Sequence, residues 1–271
     1  MKKPDSLLAI LSLSLVLSIS LVAILADFLS PYPYDYQDSA FILSTPGQHH
    51  WFGTDQLGRD LLSRLLKGAQ VSISIAFLTS LVALVVGIIY GAMAGYLGGQ
   101  TDEVMMRIVD VIYALPDLLL IIMITVVIGR GMLGIFLALS LVSWVTVARL
   151  VRGIVLQIRE ELFVEAARAL GAGGIRIIMR HILPNALGPI IVTLTFRIPT
   201  VILAESTLSF IGLGLTPPFS SWGTLANEGW TAIKSFPHLI IFPSLAIFLT
   251  VLSFNILGNW LRDWLDPSLR F

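Results

Sequence analysis

Cysteine is absent from this 271-residue sequence, and charged residues make up only 13% of it. The absence of cysteine excludes disulfides, thiolate metal sites and cysteine nucleophiles. Histidine is scarce, since only four residues are scattered along the chain, and we predict no metal site. The formal net charge is +0 at pH 7, so no basic excess favours nucleic acid as a partner.

Apolar residues dominate the composition: 56% of the chain is hydrophobic and the mean hydropathy is +0.89. Soluble domains carry about 25% charged residues, so this composition excludes a soluble globule. A helix needs roughly 20 apolar residues to cross about 30 Å of hydrocarbon. Runs of that length predict six membrane-spanning helices, at residues 7–25, 71–96, 104–128, 132–151, 186–211 and 239–257. The first run is longer than a signal-peptide core and is predicted to be retained.

The two long connections, residues 30–70 and 152–185, are separated by three spans and must lie on opposite faces of the membrane. The positive-inside rule decides which face is cytoplasmic. An inside N-terminus leaves five basic residues outside: Arg59, Arg64, Lys67, Arg130 and Lys234. It places a larger set in the cytoplasm: Lys2, Lys3, Arg107, Arg149, Arg152, Arg159, Arg168, Arg176, Arg180, Arg262 and Arg270. Both termini are therefore predicted to be cytoplasmic.

We divide the chain into an N-terminal transmembrane helix with its outer loop, residues 1–70, and a five-helix core, residues 71–271. In the outer loop, leucines at helical spacing predict an amphipathic helix between Asp55 and Gln70. In the second span, Gly87, Gly91 and Gly95 are each one helical turn apart. Small residues at that spacing predict close helix packing, with a role in gating as the alternative.

The connection at residues 152–185 carries the most informative pattern. Glu161 to Leu170 consists of good helix formers with acidic residues early, Gly171 suits the left-handed position after a helix, and Pro184 is predicted to end a second helix. One surface of the first helix is made shallow by small residues, Ala166, Ala167 and Ala169. A short helix with a flat surface below a membrane domain is suited to docking into a groove of a soluble partner.

The pattern Glu165-Ala166-Ala167, then Gly171, then Leu183-Pro184 resembles the signature loop of permease subunits in bacterial ATP-binding-cassette importers. His181 stands where the general pattern has an aliphatic residue, a departure typical of the peptide branch. Other segments resemble the dipeptide, oligopeptide and nickel permeases of that branch, at residues 52–60, 208–214, 254–258, 261–263 and 265–267. The resemblance covers nearly the whole chain and is to the second of the two permeases in such systems.

The resemblance implies an all-α, multi-pass protein of the bacterial cytoplasmic (inner) membrane, with the type I importer permease fold and a cytoplasmic coupling helix. It implies four kinds of partner: a homologous second permease in a heterodimer, two ATPase subunits, an extracytoplasmic substrate-binding protein and membrane lipid. Residues 220–236, with Trp222, Glu228 and Trp230, are a candidate contact for the binding protein, and the alternative for the two tryptophans is an ordinary place at the membrane interface. The residues implied to dock the ATPase are Glu161, Phe163, Glu165, Ala166, Ala167, Gly171, Leu183 and Pro184.

A Walker A loop holds nucleotide phosphates with Gly-Lys-Ser/Thr. None of the four lysines, Lys2, Lys3, Lys67 and Lys234, follows a glycine. This chain therefore cannot bind ATP in that way, and we predict neither a cofactor nor a catalytic residue in it. The resemblance places ATP and Mg²⁺ on the partner ATPases.

Four charged residues fall inside or near predicted spans, where a charge at the bilayer centre costs roughly 2.5–3.5 kcal/mol. Three are carboxylates, Asp110, Asp117 and Glu205, and we name them as candidates for the translocation path. Asp117 follows Pro116, which breaks the third span. The alternatives are an interface with the partner permease for Asp117, and structural pairing with other helices for Glu205 and Arg197.

Peptide import is the function that the resemblance favours. Import of nickel or a metal chelate is an alternative, and His49-His50 is the only feature that suggests it. An ion-coupled secondary transporter with buried carboxylates is another, but such a protein needs no docking helix. A membrane enzyme is disfavoured because no nucleophile–base set appears at useful spacing. The sequence does not distinguish dipeptides, longer peptides, glutathione-like peptides and nickel chelates as cargo.

Overall fold

The computed structural model describes residues 6–265, which form helices joined by loops. Within that range the only β-structure is an isolated bridge between Thr54 and Asp60. Three residues that the positive-inside rule places in the cytoplasm lie outside the described residues: Lys2, Lys3 and Arg270. The same holds for Asp266 and Pro267 of the C-terminal segment of resemblance.

The helices follow one another in the order α1 Ser6–Ile24, α2 Ala26–Leu29, α3 Leu61–Leu97, α4 Gly99–Tyr113, α5 Asp117–Ile128, α6 Met132–Ile158, α7 Leu162–Ala169, α8 Gly174–Ile177, α9 Leu183–Phe210, α10 Trp222–Thr231 and α11 His238–Leu265. A 3₁₀ turn lies at Ser39–Phe41, and a π-helical stretch at Ile178–Ile182 joins α8 to α9.

Five helical segments are each long and apolar enough to cross a membrane: α1, α3, α6, α11 and the continuous run from α8 through α9. α4 and α5 meet that criterion only as a pair, which is bent by 85°. The bend falls at Pro116, which has no N–H to continue the helix. α3 and α6 run in the same direction, so α4 and α5 must return the chain between the two ends of the bundle. This confirms the predicted all-α membrane architecture, with five candidate spans and a sixth if the bent pair is counted as one.

The bundle has two distinct ends. At one end, Lys67 near the start of α3 donates to Asp27 of α2 (2.9 Å), a hydrogen bond that holds the pKa of the Asp27 carboxyl below its ordinary value. At the other end, Arg159 after α6 donates to the carbonyl of Gly95 in α3 (2.7 Å). We call these the predicted outer end and the predicted cytoplasmic end. The connection at residues 159–182 lies at the second, as the alternation of spans requires.

The amphipathic helix predicted between Asp55 and Gln70 is wrong as a separate element. α3 begins at Leu61 and continues without a break into the second span, so it starts ten residues before the boundary at residue 71. Asp60 caps it by accepting a hydrogen bond from the N–H of Ser63 (2.8 Å). No proline interrupts residues 61–97. The segment with leucines at helical spacing and the apolar run of the second span therefore form one continuous helix.

α3 is central to the packing, since it contacts α1, α4, α6, α9 and α10. One buried cluster joins α3, α6 and α9 through Ile75, Leu139 and Ile202. A second cluster, at the predicted cytoplasmic end, joins α6 through Val151 and Val155 to the short helices α7 and α8. The connection at residues 159–182 is therefore packed onto the spans.

α3 and α6 pack closely together, and Gly87, Gly91 and Gly95 all face this contact. A Cβ on Gly87 would lie 2.6 Å from the Cβ of Val147, and one on Gly95 would lie 2.9 Å from the carbonyl oxygen of Arg152. A Cβ on Gly91 would overlap the carbonyl oxygen of Ala148. Backbone atoms have little freedom to retreat, so α6 can lie this close only because α3 presents glycine.

Adding one methyl group to this contact tests its importance. We expect Gly91→Ala to lower the thermal midpoint of the detergent-purified protein, because overpacking a close contact costs about 1–3 kcal/mol. Gly153→Ala is the matched control, since Gly153 is an exposed residue of α6 with no atom within 4 Å of the added Cβ. That change should leave the midpoint unchanged or raise it, because alanine favours helix by about 1 kcal/mol over glycine. Equal midpoints for the two variants would contradict the packing account.

Candidate docking site and membrane-embedded charges

α7 is an eight-residue helix at the predicted cytoplasmic end. Val164 and Ala167, one turn apart, are buried, whereas Glu165, Ala166 and Ala169 are exposed. Of the three alanines predicted to form one shallow surface, Ala167 therefore faces the core of this chain. The shallow exposed surface consists of Ala166 and Ala169, because a helix turned to bury Val164 must also bury the residue three positions on.

The end of α7 is a tight reversal at Gly171. Gly171 has a φ of +81°, the left-handed conformation predicted for it. The N–H of Gly171 donates to the carbonyl of Arg168, and the N–H of Ala172 donates to that of Ala167, both at 3.0 Å. These two bonds form a Schellman motif, which satisfies the last carbonyls of the helix. The chain thus leaves α7 in a fixed direction towards α8.

The short helices carry apolar side chains that no residue between 6 and 265 covers. Leu162 is 80% exposed, Leu170 88% and Ile175 81%. Phe163 and Met179 are exposed as well. A contiguous apolar patch outside the hydrocarbon marks a protein or membrane interaction site. Glu161 precedes α7 as its N-cap residue without a side-chain capping bond, so its carboxylate, like that of Glu165, is available to a partner.

The same segment is firmly attached to the spans. Arg159 donates to the carbonyl of Gly95 (2.7 Å), and Gly174 lies against the ring of Tyr96, whose Cε1 would be 2.9 Å from an added Cβ. Ile177 and Ile182 are buried in the cluster that contains Val164. A displacement of α7 must therefore shift the ends of α3 and α6.

The prediction that Pro184 ends the second helix is wrong. α8 continues through the π-helical stretch into α9, and Pro184 is exposed in the first turn of α9. Leu183 just before it is half-buried against the cluster that contains Val164. In the π stretch the N–H of Leu183 bonds to the carbonyl of Ile178, five residues back. This wider turn accommodates the proline ring, which would clash with the carbonyl four residues back in a regular helix.

Two acidic residues of α4 are paired with arginines of α6. Asp110 forms an ion pair with Arg149, whose Cζ also lies 4.0 Å from the centre of the Tyr113 ring. Asp102 accepts two hydrogen bonds from Arg152, both 2.6 Å long. The charge of Asp110, a candidate for the translocation path, is thus already compensated within the chain.

Glu205 lies wholly inside the subunit, with no exposed surface. Its carboxyl accepts hydrogen bonds from Ser72 of α3 (3.2 Å) and Ser209 of α9 (2.7 Å). Ser72 in turn accepts from the backbone N–H of Trp222 (3.2 Å). Glu205 therefore joins α3, α9 and the start of α10, and in this conformation it lines no cavity or outer surface of the chain.

Asp117 and Arg197 line a common cavity of about 250 Å³ between α5, α6 and α9. Asp117 is the exposed first residue of α5 and accepts no hydrogen bond from any described residue. Arg197 donates through Nη2 to the carbonyl of Ser143 (2.5 Å), while its Nε is buried without a partner. Neither charge is compensated by an ion pair within the described part of the chain.

An ion-pair network at the predicted outer end was not foreseen from the sequence. Arg64, only 1% exposed, donates to Asp55 of the outer loop (2.6 Å) and to Glu228 of α10 (3.0 Å). Arg59 also donates to Asp55 (2.7 Å). The only sequence signal was local, since Asp55 and Arg59 are four residues apart. Glu228 is 164 positions from Arg64, and only the fold brings them together.

This network changes the interpretation of residues 220–236. Trp222 is 2% exposed and donates from Nε1 to the carbonyl of Leu65 (3.2 Å), so it is not available to an outside partner. Glu228 is engaged by Arg64. Of the three residues named in that segment, Trp230 alone presents a large exposed apolar surface, 56% of the residue.

The histidine pair is explained by packing in the outer loop. His50 is buried, and its Nδ1 lies 2.9 Å from Oδ1 of Asp60. Its ring packs against Tyr32 and Phe41, with centroids 5.0 and 5.1 Å away. Within residues 6–265, no group of three or more His, Asp or Glu side chains is arranged to hold a metal ion.

Most of the chain matches one known family. Residues 87–271 match the family described as binding-protein-dependent transport system inner membrane component. Residues 7–46 match the N-terminal TM domain of oligopeptide transport permease C. The first of these matches covers more than half of the chain.

Relatives at more than 40% identity span nearly the same length. The chain is 42% identical over 263 residues to the oligopeptide transport system permease protein OppC of Bacillus subtilis strain 168, covering 97% of this chain and 86% of that protein. It is 44% identical over 265 residues to the dipeptide transport system permease protein DppC of the same strain, with 97% and 82% covered. The glutathione transport system permease protein GsiD of Pectobacterium atrosepticum is 42% identical over 256 residues, with 94% and 85% covered.

A solved structure of the MetNI methionine ABC transporter in an inward-facing conformation has a similar chain. The TM-score is 0.64, and the match covers 75% of this chain and 96% of that one. At 18% identity this likeness shows the fold alone, which is the predicted type I importer permease fold.

We expect Asp55→Asn to release the outer loop from α3 and α10, because it removes a partner from the buried Arg64. Breaking a buried ion pair in this way costs about 3–5 kcal/mol. Limited proteolysis of the purified protein should then cut residues 30–60 faster. Asp35→Asn is the control, since Asp35 is exposed in the same loop and its variant should be cut at the wild-type rate. Equal rates for all three proteins would show that the network does not hold the loop.

Proposed function

Because the chain belongs to the family of binding-protein-dependent transport system inner membrane components, we propose that it forms half of the translocation path of an ATP-driven peptide importer. A homologous second permease supplies the other half. Two separate ATPase subunits supply the energy, and a substrate-binding protein delivers the cargo. The permease itself carries out no chemical step and holds no nucleotide or metal.

Peptide as the cargo is supported by the names of the relatives. The three relatives at 42–44% identity are permeases of oligopeptide, dipeptide and glutathione systems, and glutathione is itself a small peptide. Import of nickel is not favoured, because His50, half of the only suggestive pair, is buried against Asp60 and two aromatic rings. An ion-coupled secondary transporter does not agree with the family.

The docking site is assigned from one observation: α7 is packed onto the spans and presents an exposed apolar face. In this proposal Phe163, Ala166 and the apolar residues at either end of α7 enter a groove on an ATPase subunit. Glu165 and Glu161 supply charged anchors at the rim of that contact. The α7 side of the protein is then cytoplasmic, as are both termini.

Coupling follows from the attachment of α7. Closure of the two ATPase subunits displaces α7, and the buried Val164 and Ala167 transmit the displacement to the cluster on α6. The bond from Arg159 to Gly95 carries it to α3. Since interiors this tightly packed respond by shifting as units, the spans move with α7 and the path opens to one side or the other.

The second permease has a suitable surface to cover. α5 presents exposed apolar side chains, among them Leu119 at 58%, Met123 at 66% and Val127 at 86%. α5 also borders the cavity that contains Asp117. A partner packed on this side closes the cavity into a path between the two subunits, with Asp117 on its wall.

We expect Gly171→Val to uncouple transport without unfolding the spans. A non-glycine residue in left-handed geometry costs roughly 1 kcal/mol, and a β-branched one more. No atom lies within 4 Å of a Cβ on Gly171, so the strain is confined to the reversal after α7. Glu165→Lys should weaken docking by reversing an exposed charge. Both variants should assemble with the second permease but lose peptide uptake, or lose the ATPase subunits on purification.

Gly173→Ala is the matched control in the same turn, because Gly173 has a φ of −69° and open space around it. Peptide uptake, ATP turnover and co-purification of the ATPase should be of wild-type size for this variant. Wild-type values in all three measurements for Gly171→Val and Glu165→Lys would refute the docking assignment.

A further inference from the structure

Several charges of the membrane-spanning helices are compensated by neighbours within the chain. Asp102, Asp110, Arg149 and Arg152 neutralise one another in ion pairs, and Glu205 is satisfied by serine hydroxyls. Asp117 and Arg197 differ, because neither has an ion-pair partner among the described residues. They carry opposite charges, share a cavity, and yet do not close into a pair.

Each of these residues lies more than ten positions before the C-terminal end of its helix. Asp117 begins the 12-residue helix α5, so it is about 18 Å from the outer end of that helix at 1.5 Å per residue. Arg197 is 13 residues before the end of α9 at Phe210, or about 20 Å by the same rise. Both distances are more than half of the roughly 30 Å hydrocarbon thickness. Ionisable residues this far inside apolar helices are rare and by default mark a functional site, and these two face a common cavity without forming a direct ion pair.

The rest of the cavity is suited to an organic cargo. Its walls are largely apolar, with Ile121, Leu139 and Val142 on one side. Thr200 and Thr207 of α9 add two hydroxyl groups. A volume of about 250 Å³ is about eight times the roughly 30 Å³ that one water takes up in the liquid. The space therefore exceeds what is needed to hydrate the two charges with one or two ordered waters.

We propose that Asp117 and Arg197 form a transit site for the two charged ends of a zwitterionic peptide. Arg197 binds the terminal carboxylate and Asp117 the terminal ammonium. This inference rests on the proposed function and adds to it the chemical groups of the cargo that the translocation path binds. Arg197 is oriented for this role, since it lines the cavity and the bond from its Nη2 to the Ser143 carbonyl holds the guanidinium in place.

The chemistry explains how one path serves peptides of different sequence. All unmodified linear peptides carry an ammonium and a carboxylate, whereas their side chains differ. Apolar walls contact side chains without requiring a particular one. A charge-assisted hydrogen bond contributes about 1.5–3 kcal/mol, enough to favour entry of the peptide and still allow release.

The test uses the whole importer in proteoliposomes, with three forms of trialanine: free at both ends, amidated at the C-terminus, and acetylated at the N-terminus. Binding-protein occupancy is measured for each peptide by equilibrium dialysis, and uptake is divided by it. Arg197→Gln should reduce uptake about tenfold or more for the free and acetylated peptides, which keep the carboxylate. It should leave uptake of the amidated peptide at the wild-type value for that peptide.

Asp117→Asn should show the mirror-image pattern, with losses for the free and amidated peptides and none for the acetylated one. Arg149→Gln is the matched control, because it removes an arginine that is already paired within the chain. Any effect of Arg149→Gln should be the same factor for all three peptides. Arg197→Lys keeps the positive charge without the planar guanidinium. This variant should still favour the peptides with a free carboxylate over the amidated one. It tests the transit site if Arg197→Gln fails to assemble.

Equal losses for all three peptides in Arg197→Gln would overturn the transit site and assign the charge to a contact with the second permease. Wild-type uptake in both Arg197→Gln and Asp117→Asn would overturn it as well. In either case uptake of free trialanine by the wild type would leave the proposed function standing. No uptake of any peptide by the wild-type importer would overturn the proposed function and the transit site together.

Discussion

The close packing of α3 on α6 is the contact on which the rest of the structure depends. Three glycines on α3 let the two helices approach to the distance of backbone contact, and the helices run in the same direction. Parallel packing forces the intervening chain to cross back through the bundle. That return is made by α4 and α5, whose break at Pro116 puts Asp117 at the start of α5, in the middle of the returning segment.

α3 also joins the two ends of the protein. At the predicted outer end, Arg64 ties it to the outer loop and α10. At the predicted cytoplasmic end, the Gly95 carbonyl accepts from Arg159, beside the helix that we propose as the docking site. A helix of 37 residues, about 55 Å long, thus connects the proposed docking site with the predicted outer end.

Much of this was predictable from local patterns. Apolar runs gave the spans, and the left-handed role of Gly171 followed from its position after a short helix. Predictions failed where the outcome depended on distant parts of the chain. The pairing of Arg64 with Glu228 needs the fold, and so does the burial of Ala167, whose face is chosen by Val164. The prediction that a helix ends at Pro184 was wrong because a π-helical stretch before the proline allows the helix to continue. Such a stretch has no simple sequence signal.

If the proposed coupling holds, α7 moves as one body with α3. The chain has no cysteine, so Phe77→Cys in the middle of α3 and Arg168→Cys on α7, both exposed, allow spin labels at two chosen points. Their separation is measured by electron paramagnetic resonance in the assembled importer, with and without ATP. The account predicts the same separation in both states while uptake proceeds. A change of about one helical turn, 5.4 Å, would show that α7 moves independently of the spans and would contradict it.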